Sequence, residues 1–392
     1  MGRLLLFRAP GSRIRIAIIS LGWLAALMIL AGTPAWTMEK ARVITPGDFF
    51  PEISLPMVQA KSDADYLGLP QKFFGLVRGA TFSLKDVSAE LIILEFMSKY
   101  CFSCQLQAPV LSQVFSMVDR DPRLRGRIKF IGIGVGNNEK EVESFKAEKQ
   151  IPFPFIPDPK FLVYENIGEP GVAPLSLHLR KTDAGLLVAR MTAGLTKDPE
   201  EILKDLNSSL TTDVSDLLKK FKDPSFQHFR APEMRLGLNE EQLLKKAREC
   251  LSSSQWEVLH VFKVAWPDER GFYIGEAQAG KKKFYLFARL VTRAPICDIC
   301  HAVHFLYAFD QKGMILNFLP LEVTKEGNLP WNAQEVEWMK ARLVGRSILN
   351  PVDFDPQVDS VSSATMTSVL IVDAIRRAKR HYEGLKRMGY MK

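Results

Sequence analysis

The run Leu91-Ile92-Ile93-Leu94-Glu95-Phe96-Met97 restricts the fold more than any other stretch. Six of its seven residues are apolar. A continuous apolar run of that length, bounded on both sides by polar residues, reads as a strand covered on both faces. Four residues later comes Cys101-Phe102-Ser103-Cys104, and residues 106–118 then carry helical periodicity. A buried strand feeding a short turn and a helix needs layers above and below it, which implies an α/β sheet flanked by helices.

The neighbouring chain continues the alternation. Residues 127–135 read as a second strand and 139–150 as a second helix. Residues 175–179 and 186–191 read as a strand pair turning at Asp183-Ala184-Gly185, and 199–210 as a closing helix. The pattern therefore places one α/β domain at 41–210. Residues 211–237, with Pro224 and Pro232 and one short basic helix, read as a linker. Residues 238–392 read as a second, α+β domain. There a helix at 240–252 precedes strands at 256–266, 271–277 and 281–291. A hairpin follows at 305–310 and 314–321, turning at Gln311-Lys312-Gly313, with helices at 332–344 and 368–381. A chain of 392 residues is long enough for both. Five cysteines in that length exclude a small fold built on disulfides.

The N-terminus is separate. Arg3, Arg8, Arg13 and Arg15 precede an apolar run over 16–31, and Thr33-Pro34-Ala35 follows with small residues. This is the layout of an export signal or a short membrane anchor over 1–40, and in either case it places the rest in the periplasm. The net charge is +8, and those four arginines account for half of it. No dense basic patch with interleaved aromatic residues remains, so nucleic acid is not an expected partner.

Cys101 and Cys104 carry the clearest chemistry. A thiol at the opening of a helix meets unpaired N–H groups and the positive end of the helix dipole, which favour a thiolate. A second thiol one turn on can resolve a mixed disulfide. Glu95, inside the apolar strand, is placed to take and return the proton of Cys104. These residues resemble the thioredoxin family. The resemblance rests on the acid six residues before the first cysteine, on Pro109 five residues after the second, and on Gly171-Val172-Ala173-Pro174 as a cis-proline loop. Gly47-Asp48-Phe49-Phe50-Pro51 resembles the start of exported, membrane-tethered members that serve cytochrome maturation and envelope thiol chemistry. Two positions depart from the family: Tyr100 stands where a tryptophan is usual, and Leu175 where a threonine follows the proline. The resemblance implies a thiol-disulfide oxidoreductase acting on a protein dithiol, a protein disulfide or an envelope redox partner. Its catalytic residues would be Cys101, Cys104, Glu95 and Pro174. The glycines of Gly132-Ile133-Gly134-Val135-Gly136 do not have dinucleotide-loop spacing and fit a plain strand.

Two further motifs lie in the second domain. Cys297-Asp298-Ile299-Cys300-His301 admits several readings: a c-type haem attached through both thiols with His301 as axial ligand, a second redox disulfide, a metal site that also uses His304, or a structural disulfide. Cys250, alone in a helical stretch, reads as a buried apolar residue. Asp359-Ser360-Val361-Ser362-Ser363-Ala364-Thr365-Met366-Thr367-Ser368 puts small hydroxyl residues at the mouth of a helix, where backbone N–H groups can hold a phosphate. The segment resembles the FMN-binding domain of sodium-pumping and electron-bifurcating membrane reductases, in which a transferase esterifies FMN onto a threonine. The resemblance implies Asp359, Ser362, Ala364, Thr365 and Thr367 as cofactor-binding residues. Thr365 would be the attachment point, with Ser363 where that motif has glycine. Together the motifs imply an oxidoreductase coupled to a flavin domain, with electrons relayed within the chain. The alternative is a periplasmic electron carrier holding FMN or haem, with the first domain accessory.

Overall fold

The computed structural model describes residues 42–69, 81–266, 271–350 and 352–391. The expected export segment at 1–40 lies outside the described residues. Residues 40–392 form one compact unit.

The first sheet is assembled from strands at both ends of residues 91–193. β1 (Ser54–Pro56) and β2 (Thr81–Ser83) pair as a small ribbon outside it. β3 (Leu91–Met97), β4 (Ile128–Val135) and β5 (Phe155–Asp158) run parallel. β6 (Leu175–Thr182) and β7 (Gly185–Ala193) run antiparallel beside β3, giving the order β5-β4-β3-β6-β7. Every residue of β3 is buried, as a central strand with helices on both faces requires. The helix Phe102–Arg120 follows β3 directly and packs beside the helix Pro199–Thr211. The helix Glu139–Glu148 packs against β5. This is a thioredoxin-like arrangement.

Close packing explains the glycine run in β4. A Cβ on Gly132 would lie 1.7 Å from the Phe155 ring, and one on Gly134 would lie 2.5 Å from Val142. Gly136 has φ +70 and abuts Phe161. Side chains are excluded here by neighbours from β5 and the helix Glu139–Glu148, and no phosphate cradle is formed.

The linker region is more ordered than its composition suggests. The helix Val214–Lys222 buries Leu217 and Phe221 in a cluster with Ala189 of β7, and capping by Asp213 starts it. Beyond it, after the helix Glu240–Leu251, five strands form an antiparallel meander: β8 (Glu257–Val264), β9 (Phe272–Ala279), β10 (Lys282–Arg293), β11 (Val303–Phe309) and β12 (Ile315–Glu322). Period-2 alternation divides its two faces. Leu286, Ala288, Leu306 and Ala308 pack with Leu243, Ala247 and Cys250 of the helix. Phe287, Val291, Phe305, Tyr307 and Phe309 face the other way, into an apolar core shared with the first sheet and with the helix Thr365–Arg376.

That shared core is crossed by a buried ionic cluster. Arg293 of β10 reaches Glu169 at 3.0 Å and Asp373 at 3.0 Å. Arg377 reaches Asp373 at 2.7 Å, Glu165 at 3.0 Å and Glu169 at 3.3 Å. The single helix expected over 368–381 is two helices, Thr365–Arg376 and Ala378–Arg387, which meet at Arg377. The break lets Arg377 serve the cluster while Ala378, Tyr382 and Leu385 turn into the core.

Candidate functional site

β3 delivers the first cysteine pair to the C-terminal edge of the sheet. The turn after it is braced by Asn137, whose Oδ1 accepts the Lys99 N–H at 2.8 Å. Cys101 then takes the N-cap position of the helix Phe102–Arg120, and its Sγ accepts the backbone N–H of Cys104 at 3.1 Å. That contact is the sulfur version of a side-chain cap, and it favours negative charge on Cys101 over Cys104. The two sulfurs are joined as a disulfide. Pro109 lies inside the same helix.

The loop before β6 faces the pair. The Ala173–Pro174 peptide is cis, and the Ala173 carbonyl oxygen lies 3.5 Å from Cys101 Sγ. Tyr164 holds this loop from beneath: its hydroxyl accepts the N–H groups of Gly171 and Val172 and donates to the Val172 carbonyl.

Glu95 sits one layer below. It is buried in β3 opposite Ser176 of β6, to which it hydrogen-bonds. Burial pushes its carboxyl up to about 8, with the Ser176 bond pulling the other way. Its Oε1 has no hydrogen-bond partner among the described residues. A cavity of about 60 Å³ joins it to Pro174, His178, Thr192, Arg190 and Asp205. That volume exceeds the roughly 10–15 Å³ one water requires, so the cavity is large enough to hold water beside the carboxyl. At its far end Arg190 pairs with Asp205 at 2.6 Å. His178, buried with its Nδ1 on Ser209 Oγ at 2.8 Å, is pushed down to about 3 by desolvation and is neutral. Ser176 and His178 were not singled out in the sequence. The signal was present: both are polar and alternate with Leu175, Leu177 and Leu179.

Cys297 and Cys300 also form a disulfide. Of the nearby histidines, His301 is exposed, whereas His304 is buried with its Nδ1 at 3.2 Å from Thr292 Oγ1. The position of this loop was not foreseen. The Asp298 N–H donates to the Ala173 carbonyl at 3.1 Å, the same oxygen that Cys101 Sγ approaches. The loop of the second pair and the sulfur of Cys101 therefore meet at one carbonyl oxygen. Cys297 is buried against this junction. Cys300 is half-buried and lines a cavity of about 760 Å³ with His301, Glu322, Thr324 and Trp331.

The hydroxyl segment lies one contact further on. Thr365 opens the helix Thr365–Arg376, and Ala364 at its N-cap provides no side-chain cap. Ser363 has φ 56, so the chain adopts at the expected glycine position a conformation that glycine favours. Ser362 and Ser363 are exposed. Other members of the set have structural partners. Asp359 pairs with Arg342 at 3.2 Å and accepts the Asp355 N–H, and Thr367 donates to the Thr324 carbonyl at 2.7 Å. Residues 324–328 connect this segment to the second disulfide: the Glu326 N–H donates to the Ser363 carbonyl, and Asn328 donates to the Ile299 carbonyl.

No family model and no curated protein matches the sequence. Solved structures similar to part of the chain include a secreted disulfide oxidoreductase of Mycobacterium tuberculosis described as homologous to E. coli DsbE. It has 19% identity, covers 33% of this chain and 90% of that one, and has a TM-score of 0.28. A putative thiol:disulfide interchange protein DsbE from Chlorobium tepidum has 16% identity, covers 43% of this chain and 99% of that one, and has a TM-score of 0.32. StoA from Bacillus subtilis has 18% identity, covers 32% of this chain and 88% of that one, and has a TM-score of 0.26. Among the described residues, no helix is long and apolar enough to cross a membrane.

Proposed function

We propose that this chain is a thiol-disulfide oxidoreductase with Cys101 as nucleophile and Cys104 as resolving thiol. The observation that carries the reading is the placement of the Cys101–Cys104 disulfide at a helix N-terminus, against cis-Pro174 and above a buried protonated Glu95. In the reduced form, Cys101 thiolate attacks one sulfur of a substrate disulfide and expels the other as a thiolate. Cys104 then attacks Cys101 to release the reduced substrate. Glu95, whose pKa is pushed up to about 8, takes the Cys104 proton in its ionised form and passes it on to the cavity that it lines. Two paired disulfides suit an oxidising compartment, which supports export to the periplasm.

The test is exchange with a fluorescent peptide disulfide by the reduced full chain. Cys101→Ser should abolish exchange, and Cys104→Ser should accumulate a peptide adduct on Cys101. Full exchange by Cys101→Ser would overturn the proposal.

FMN is the second part of the reading. The uncapped helix end at Thr365, the exposed Ser362 and Ser363 and the glycine-like turn at Ser363 suit a phosphate. Asp359 and Thr367 would support the segment through the bonds they already make. A bound FMN would supply one- and two-electron transfer. The check is intact mass and visible absorption of the chain expressed with flavin-transfer and haem-attachment machinery. One FMN mass, lost in Thr365→Ala, is the expected result. An unmodified chain would remove the flavin from the reading, and a haem mass with a Soret band would replace it with the electron-carrier alternative.

A further inference from the structure

We infer that the Cys297–Cys300 loop is a resident partner of the first disulfide: it docks on the Ala173–Pro174 platform and exchanges electrons with Cys101 inside one molecule. The inference rests on the proposed chemistry of Cys101 and extends it by naming the group that Cys101 meets.

Three observations support it. The Asp298 N–H donates at 3.1 Å to the Ala173 carbonyl, and Cys101 Sγ lies 3.5 Å from that same oxygen. A backbone bond to the loop facing the nucleophile fixes the register of an incoming chain, and it places the residue next to Cys297 on the oxygen that Cys101 Sγ approaches. The surrounding surfaces fit closely. A Cβ on Gly194 would lie 3.4 Å from Asp298 Oδ2, and one on Gly171 would lie 3.2 Å from the Ala294 side chain. Finally, Cys101 is only 1% exposed. A nucleophile covered by another part of its own chain cannot meet a bulky external disulfide without that part moving. The loop hydrogen-bonded to the carbonyl that Cys101 approaches carries a second disulfide.

The two sulfurs of the loop divide the work. Cys297 is buried at the junction, whereas Cys300 borders the cavity of about 760 Å³. An external protein dithiol attacks Cys300 and, after resolution by its own second thiol, leaves as a disulfide. Cys297 and Cys300 are now reduced. Cys297 thiolate attacks Cys101 Sγ: the Cys297–Cys101 bond forms, the Cys101–Cys104 bond breaks, and Cys104 leaves as a thiolate that accepts a proton from Glu95. Cys300 thiolate then attacks Cys297, restoring the Cys297–Cys300 disulfide and releasing Cys101 thiolate. Two electrons have moved from the external dithiol to Cys101 and Cys104. Each step is reversible, and direction follows the potentials of the external partners. Tethering keeps the reacting pairs at an effective concentration on the order of millimolar or above.

The experiment removes both resolving thiols. The full chain carrying Cys104→Ser and Cys300→Ser is oxidised mildly, alkylated and mapped by mass spectrometry without reduction. The expected product is a Cys101–Cys297 cross-link in monomeric protein, with a yield independent of protein concentration. Recovery of Cys101 and Cys297 as alkylated thiols or in intermolecular dimers would overturn the inference. Exchange by the Cys297→Ser/Cys300→Ser chain provides the second readout. A fall of at least tenfold in turnover with an external protein dithiol supports the relay, whereas turnover at the wild-type rate refutes it and leaves the oxidoreductase reading standing. Loss of all exchange at Cys101 with small disulfides, in the otherwise unaltered chain, would refute the oxidoreductase reading itself.

Discussion

Replacing Glu95 with glutamine should make the oxidised protein more stable and a poorer catalyst. Glu95 is buried in β3, and burial raises its pKa from an ordinary 4.5 to about 8. The folded state therefore holds a proton that the unfolded chain gives up above about pH 4.5. The stability associated with that proton is full below the unfolded value and is lost as pH rises through the folded one. At 1.36 kcal/mol per unit, the loss is about 1 kcal/mol at pH 5, about 3 at pH 7 and about 4 at pH 8. Glutamine has nearly the same shape, can still hydrogen-bond Ser176 and never ionises. The urea stability of oxidised Glu95→Gln should therefore exceed that of the parent by a margin that grows over this pH range. Exchange by the reduced form should fall by about 100-fold or more, as loss of a positioned acid–base group does. A stability difference that stays flat between pH 5 and pH 8 would refute the claim that burial controls this carboxyl. An unchanged exchange rate would refute its role in proton transfer.

Other perturbations follow from the same coordinates. Arg293→Ala takes from Glu169 and Asp373 one of the two guanidinium groups they share, leaving Arg377, and should cost up to about 3–5 kcal/mol in denaturant titrations, the range for breaking one side of a buried ion pair. Gly132→Ala drives a methyl into the Phe155 ring, which it would meet at 1.7 Å, and should cost about 1–3 kcal/mol in the same titration. Cys250 is free and buried, with its thiol pushed up by desolvation, so iodoacetamide should label it only after unfolding. Rapid labelling of the native protein, read by mass spectrometry, would contradict that burial.

The legible parts of the sequence are those where one physical rule acts alone. β3 emerges at its expected bounds because a run with six apolar residues in seven has no other stable place, and its continuation into Cys101 locates the helix. Helical periodicity begins at residue 106, yet the helix opens at Phe102, because the N-cap is a cysteine and not one of the usual oxygen-bearing residues. Ser176 and His178 escaped notice because two polar residues in an apolar strand look like a solvent-facing edge. Only the pairing of β6 with β3 places them in the interior beside Glu95. The break at Arg377 has no glycine or proline to announce it. It is set by three acidic residues, two of them more than two hundred positions away.

The docking of the second disulfide is the extreme case of this limit. Cys297-Asp298-Ile299-Cys300-His301 is a short motif with several chemistries, and local sequence cannot choose among them. What the fold adds is one backbone hydrogen bond from Asp298 to Ala173, across 125 residues of chain. Backbone donors carry no side-chain signature, so no residue type marks the contact. What orients it is the meander, which ends β10 at Arg293, and the ionic cluster, which ties that same arginine to Glu169 just ahead of the cis-proline loop. Arg293 and Glu169 stand four positions before Cys297 and Ala173, so the ion pair joins the two loops close to the point where they meet. Loosening that ion pair in the chain that also carries Cys104→Ser and Cys300→Ser should lower the yield of the Cys101–Cys297 cross-link read by mass spectrometry.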